Sequence, residues 1–163
     1  MMYLFYILIS LSLLGMLYQD LSYRKIHILL PVLLMGALIG LSYHKGEFFV
    51  RSIIEILGFI LLNIAGVLIY FSIKNKKLIN PLKKYIGLGD ILFLIAIIPL
   101  FMLQSYMLFF ITGMLISLMV YGLFKNKLTY KSIPLAGYLS GYLGILMIIN
   151  FFTTHNIFRT IYF

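Results

Sequence analysis

Apolar stretches of membrane-spanning length alternate with short polar gaps along the whole chain. The first runs from about Met2 to Gln19 and stops at DLSYRK. The second, about Ile26 to Tyr43, stops at HKGE, and the third, about Phe49 to Ile73, at KNKKLINPLKKY. A fourth, about Leu88 to Met102, meets a minimal turn near Gln104 and Ser105. The fifth then continues to Phe124 and KNKLTYK, and the sixth covers about Ile133 to Phe152. Runs of this length and hydropathy predict six transmembrane helices. Strict apolar–polar alternation is absent, and an open sheet in lipid would strand its edge hydrogen bonds. The pattern therefore predicts an all-α polytopic membrane protein, with residues 1–163 as one domain.

Composition agrees with the pattern: 63% of residues are hydrophobic and 10% charged, with mean hydropathy +1.10. A soluble domain of this size could not hide that much apolar surface. The opening MMYLFYILISLSLL has neither a basic leader nor a small-residue cleavage site, so it reads as a retained helix. There is no cysteine, which excludes disulfides and thiolate chemistry. His27, His44 and His155 are scattered at the edges of apolar runs, so no histidine-rich metal site is expected.

The net charge of +9 would suit nucleic acid, but the basic residues sit in the gaps between apolar runs. There they match the positive-inside bias and anionic lipid headgroups, so the bilayer rather than nucleic acid is the expected partner. The gaps after runs one, three and five hold Arg24, Lys25, Lys74, Lys76, Lys77, Lys83, Lys84, Lys125, Lys127 and Lys131. The other side holds Lys45, Arg51 and Arg159. Ten against three puts the basic loops in the cytoplasm and both termini outside.

That orientation brings the only two aspartates to one membrane face. Asp20 closes the first run and Asp90 opens the fourth, both at the cytoplasmic side. Ionisable groups at such depth are costly and are functional candidates. Two carboxylates brought close cannot both ionise easily, so near neutral pH the pair can share one proton. That suits peptide hydrolysis: the ionised partner takes a proton from water while the protonated one stabilises the developing oxyanion. Gly87 and Gly89, just before Asp90, would let the backbone approach a bound peptide and adopt positive φ as a hinge. A plainer reading stands beside this one. Gly-x-Gly is also a loop-to-helix turn, Asp90 a helix cap, and Asp20 a solvated interface residue beside Arg24 and Lys25.

At Gly87-Leu88-Gly89-Asp90 the chain resembles the type IV prepilin leader peptidases, aspartyl proteases with a Gly-x-Gly-Asp motif in the membrane. Their first motif is an aspartate ending a helix, then a basic residue and typically Ile-Pro-Asn. Here the stretch reads Asp20-Leu-Ser-Tyr-Arg24-Lys25-Ile26-His27-Ile28. IPLAGYLSGYLG, residues 133–144, is similar to the family's late Pro-Ala-rich helix opening. His27 and Ile28 replace the usual proline and asparagine, and Gly137 stands where a second proline is common.

The resemblance implies an inner-membrane endopeptidase of type IV pilus assembly or protein secretion. It would remove the short basic leader from a prepilin or pilin-like precursor at the cytoplasmic face. Asp20 and Asp90 would be catalytic, Gly87 and Gly89 would serve substrate approach, and no cofactor or metal would be needed. The long members also N-methylate their product through a cysteine-bearing cytosolic region; without cysteine or soluble insert, cleavage alone is expected here. A presenilin-like or preflagellin peptidase is the other enzyme reading. The competing class is a non-enzymatic membrane protein, a small carrier or an assembly subunit with a degenerate site.

Three smaller expectations complete the reading. Gly36-xxx-Gly40 and Gly137-xxx-Gly141 are helix-packing ridges, within the chain or between subunits. Arg51 and Glu55 should form an ion pair one turn apart. Asn63 should bond across helices.

Overall fold

The computed structural model describes residues 2–46, 50–75, 87–124 and 133–152, together with Phe158. Every element among them is helical: α1 (Met2–Tyr23), α2 (Leu29–His44), α3 (Val50–Asn75), α4 (Leu88–Ala96), α5 (Leu103–Phe124) and α6 (Leu135–Phe152). Four of these, α1, α3, α5 and α6, are long and apolar enough to cross a membrane. The second and fourth runs form shorter apolar helices. The six-span expectation is met in helix number and order, while span length belongs to four helices.

Proline explains the short fourth helix. Pro99 has no N–H to donate and its ring crowds the preceding turn. The helix stops at Ala96 and passes through a 3-10 turn at Ile98–Leu100, and Phe101 is extended at φ −113°. The break expected near Gln104 and Ser105 therefore comes earlier, and both residues lie in the first turn of α5. Two hydroxyls hold the kink. Ser42 donates to the Pro99 carbonyl at 2.9 Å, and Tyr106 donates to the Leu94 carbonyl at 3.1 Å. These carbonyls lie beside a helix break, and each hydroxyl gives its carbonyl a side-chain donor there.

Helix α1 packs between α2 and α6, and α4 is held by α2 and α6. Close approach depends on small residues. A Cβ on Gly40 would fall 2.5 Å from the Phe5 ring, and one on Gly113 equally near the Leu139 side chain. The Gly137–Gly141 ridge is an internal contact: Gly137 faces Asp20 and Gly141 faces Leu17, both on α1. Gly36 faces open space. Because lipid tails are as apolar as the side chains, van der Waals packing rather than water exclusion holds such helices together.

The buried centre is continuous, with Ile9, Met16, Leu34, Leu38, Phe93 and Leu143 among its members. An aromatic group extends it. Phe109 stacks on Tyr142 at 5.5 Å, tying α5 to α6, and Phe59 meets Tyr106 edge-on at 6.0 Å, tying α3 to α5. Leu11, Leu61, Leu118 and Ile148 lie on an apolar outer surface suited to acyl chains. The Arg51–Glu55 pair forms at 2.8 Å. Asn63 instead donates to the Phe59 carbonyl of its own helix at 2.8 Å; the amide finds its acceptor one turn away, so no partner helix is needed. The lysine-rich gaps at 76–86 and 125–132 and the tail containing His155 and Arg159 lie outside the described residues.

Candidate functional site

Asp20 and Asp90 meet at the first turn of α6. Pro134 immediately precedes that helix, and its carbonyl accepts the Tyr138 N–H at 3.1 Å. Its opening amides point outward without helical acceptors, as at every helix start, and proline has no polar side chain to cap them. Two carboxylates from elsewhere do so. Asp90 Oδ1 accepts the Ala136 N–H at 2.9 Å, and Asp20 Oδ2 accepts the Gly137 N–H at 2.7 Å. Donors on consecutive residues bring the two acids side by side. The positive end of the α6 dipole favours negative charge there.

Each acid is set in position by its own helix. The sequence reading ended the first run at Gln19, but α1 continues to Tyr23, so Asp20 lies one turn inside its end. Asp20 is 7% exposed. Asp90 is half-buried in the first turn of α4, whose N-cap is Gly87. Its carboxylate folds back over that residue: a Cβ on Gly87 would lie 2.9 Å from Asp90 Oδ2. The Gly87 backbone is a further hydrogen-bond partner, as in half of a capping box. Asp90 therefore caps two helices, its own and α6. The plain helix-cap reading describes part of its environment, and the cap on α6 is additional.

The positive φ expected at Gly87 and Gly89 is not adopted. Gly87 has φ −69° and ψ 134°, ordinary extended backbone, and Gly89 is helical. Among the described glycines, positive φ occurs at Gly46. What Gly87 and Gly89 supply is room. Gly87 makes space for the Asp90 carboxylate, and a Cβ on Gly89 would lie 3.1 Å from Ile26 Cδ1. Through that second contact the turn after α1 rests on the start of α4, joining the two aspartate-bearing segments.

The turn itself is closed by side chains. Arg24, at φ 54°, adopts the left-handed conformation, uncommon for a residue with a Cβ. Its N–H donates to the Asp20 carbonyl at 3.2 Å, ending α1. Arg24 is half-buried while neighbouring Lys25 is exposed, and its charge acts on both carboxylates. The His27 N–H donates to Gln19 Oε1 at 2.9 Å, and His27 Nδ1 accepts the Leu29 N–H at 3.3 Å. A proline at position 27 could make neither bond. Likewise a proline at 137 would have no N–H for Asp20.

The backbone donors of Ala136 and Gly137 and the inward turn of Arg24 were not singled out in the sequence. Arg24 had a signal, a basic residue four positions after Asp20. The amides had only the Pro-Ala-rich opening of the sixth run, which says nothing of their acceptors. Chemically, the arrangement offers two adjacent acids anchored on one rigid helix end, each through one oxygen. Comparison of the chain with protein-family models, with curated proteins and with solved structures finds no match.

Proposed function

We propose that the chain is a membrane aspartyl endopeptidase that removes the short basic leader from prepilin or pilin-like precursors, without N-methylation. One observation carries the reading: Asp20 and Asp90, the only aspartates in the chain, accept consecutive amides of one helix start. In the reaction one carboxylate is ionised and the other protonated. The ionised acid takes a proton from a bound water as its oxygen attacks the scissile carbonyl, and the protonated acid donates to the carbonyl oxygen. Collapse of the tetrahedral intermediate breaks the C–N bond, and the departing amine takes up a proton. Water is the only co-reactant. Gly87 and Gly89 would serve substrate approach through their backbone next to Asp90. The charge distribution supports a site at the cytoplasmic face of the inner membrane, with both termini outside.

The alternative, a non-enzymatic assembly subunit with a degenerate site, draws on the same bonds, because each carboxylate already serves as a helix cap. One experiment separates the two. Asp20→Asn and Asp90→Asn keep a side-chain acceptor for the amides but cannot share a proton. Co-expression with pilin-like precursors should show leader removal by the parent chain and a loss of roughly 1,000-fold or more in each variant. Processing that survives both replacements would eliminate the two-aspartate mechanism.

A further inference from the structure

Arg24 is set apart from the other cations. Among the described residues, Lys25, Lys45, Arg51 and Lys74 are exposed, whereas Arg24 is half-buried. Its Nε and Nη2 atoms are buried, and its charge acts on Asp20, Asp90 and Tyr138.

The backbone shows that the side chain, and not the turn, calls for arginine here. The turn closes through the Arg24 N–H on the Asp20 carbonyl at 3.2 Å, a bond any residue but proline could make. At φ 54° glycine fits without strain, and asparagine is tolerated better than a long side chain. A disfavoured residue, held where a better-fitting one would close the same turn, points to a use for its side chain.

Charge balance supplies that use. Two carboxylates sharing one proton carry one negative charge, in an apolar bundle where a lone charge is costly. One guanidinium balances it and stays protonated when buried. The other groups around the pair do not. Tyr138 of α6, with Tyr121 of α5 beside it, is a neutral phenol near neutral pH. In the turn, Lys25 and His27 are exposed, and His27 Nδ1 is occupied by the Leu29 N–H. Helix α2 carries Tyr43 and His44 at its far end, and α4 brings only Asp90.

We propose that Arg24 is a positioning residue of the carboxylate pair, whose inward guanidinium holds the pair at one proton and one negative charge near neutral pH. The charge state follows from Arg24 whatever the pair is for. Its catalytic consequence rests on the peptidase reading, which needs one ionised and one protonated acid.

The test exploits the fact that Asp20 and Asp90 are the only aspartates. Aspartate labelled with carbon-13 at the side-chain carboxyl therefore reports the pair alone. The full chain in lipid nanodiscs is titrated by NMR, where ionisation moves each carboxyl resonance. Arg24→Asn removes the charge and keeps a residue suited to the left-handed turn; Arg24→Gly is the second variant should the first fail to fold. Losing the cation favours the protonated acids, so the first ionisation of the pair should move up by about one pH unit or more. Arg24→Lys keeps the charge and should restore most of that shift. In a parallel assay of precursor cleavage, the acid limb of the pH profile should move up with the NMR midpoint, because the ionised base then appears only at higher pH.

Unmoved midpoints in both uncharged variants, or a lysine variant that titrates like them, would overturn the proposal and leave the peptidase reading intact. Slower cleavage with an unmoved pH profile would also overturn it, since a purely structural role produces that. If the parent chain cleaves nothing and the midpoint still moves, the peptidase reading falls and the role of Arg24 stands.

Discussion

Replacing Gly137 with alanine tests the centre of the site by one methyl group. A Cβ at this position would lie 3.0 Å from Asp20 Cβ and 3.1 Å from Asp20 Oδ2. Ordinary carbon contacts begin near 3.5 Å, so about half an ångström of displacement is needed. The nearest atom, Asp20 Cβ, is tied to the α1 backbone and cannot rotate away. Either the helices part or the carboxylate leaves the Gly137 N–H, now at 2.7 Å. Losing a hydrogen bond to a charged acceptor costs about 1.5–3 kcal/mol, and overpacking of this kind about 1–3 kcal/mol. Against this, alanine is favoured over glycine in a helix by roughly 0.5–1 kcal/mol. The net expectation is a destabilisation of about 0.5–2 kcal/mol.

Gly144→Ala, two turns along the same helix, supplies the control. Its added methyl meets open space, so it should be neutral or stabilising by up to about 1 kcal/mol. Both variants can be followed by reversible unfolding in mixed detergent with far-ultraviolet circular dichroism. Repeating Gly137→Ala in an Asp20→Gly background, which removes the Cβ as well as the carboxylate, closes a double-mutant cycle, and a coupling of at least about 1 kcal/mol is expected. Equal stability of Gly137→Ala and Gly144→Ala, or strict additivity with Asp20→Gly, would show that α6 does not begin against Asp20.

Other perturbations follow from the same contacts. Gly89→Ala should destabilise by about 1 kcal/mol through Ile26, and Ile26→Ala should remove most of that cost, as measured in the same unfolding assay. Ser42→Ala leaves the Pro99 carbonyl without its 2.9 Å donor and should cost about 1 kcal/mol. Arg51→Ala breaks an ion pair whose arginine is 91% exposed, so a change below about 0.5 kcal/mol is expected.

The carboxylates stand out in the sequence itself. In a chain with two aspartates, both beside apolar runs, cost alone singles them out. Their partners were not legible, because the Gly137 amide lies 117 residues from Asp20 and every residue except proline carries the same N–H. The roles of small residues were also hidden. Gly87 and Gly89 looked like a hinge because glycine permits unusual φ, yet their backbones are ordinary and it is the missing Cβ that matters. Asn63 illustrates the converse: a polar group in an apolar run needs a partner, and local geometry provided one within its own helix.

Hydropathy and residue count were sufficient for the all-helical class, the order of six apolar helices and the two acids, because burial cost depends on residue type and spacing. Tertiary structure decided the rest. It set the α4 break at Pro99, turned Arg24 inward, and brought Asp20 and Asp90 onto consecutive amides of α6. Those outcomes depend on how three helices fit together at small residues, and no periodicity within one segment encodes the atoms it will meet in another.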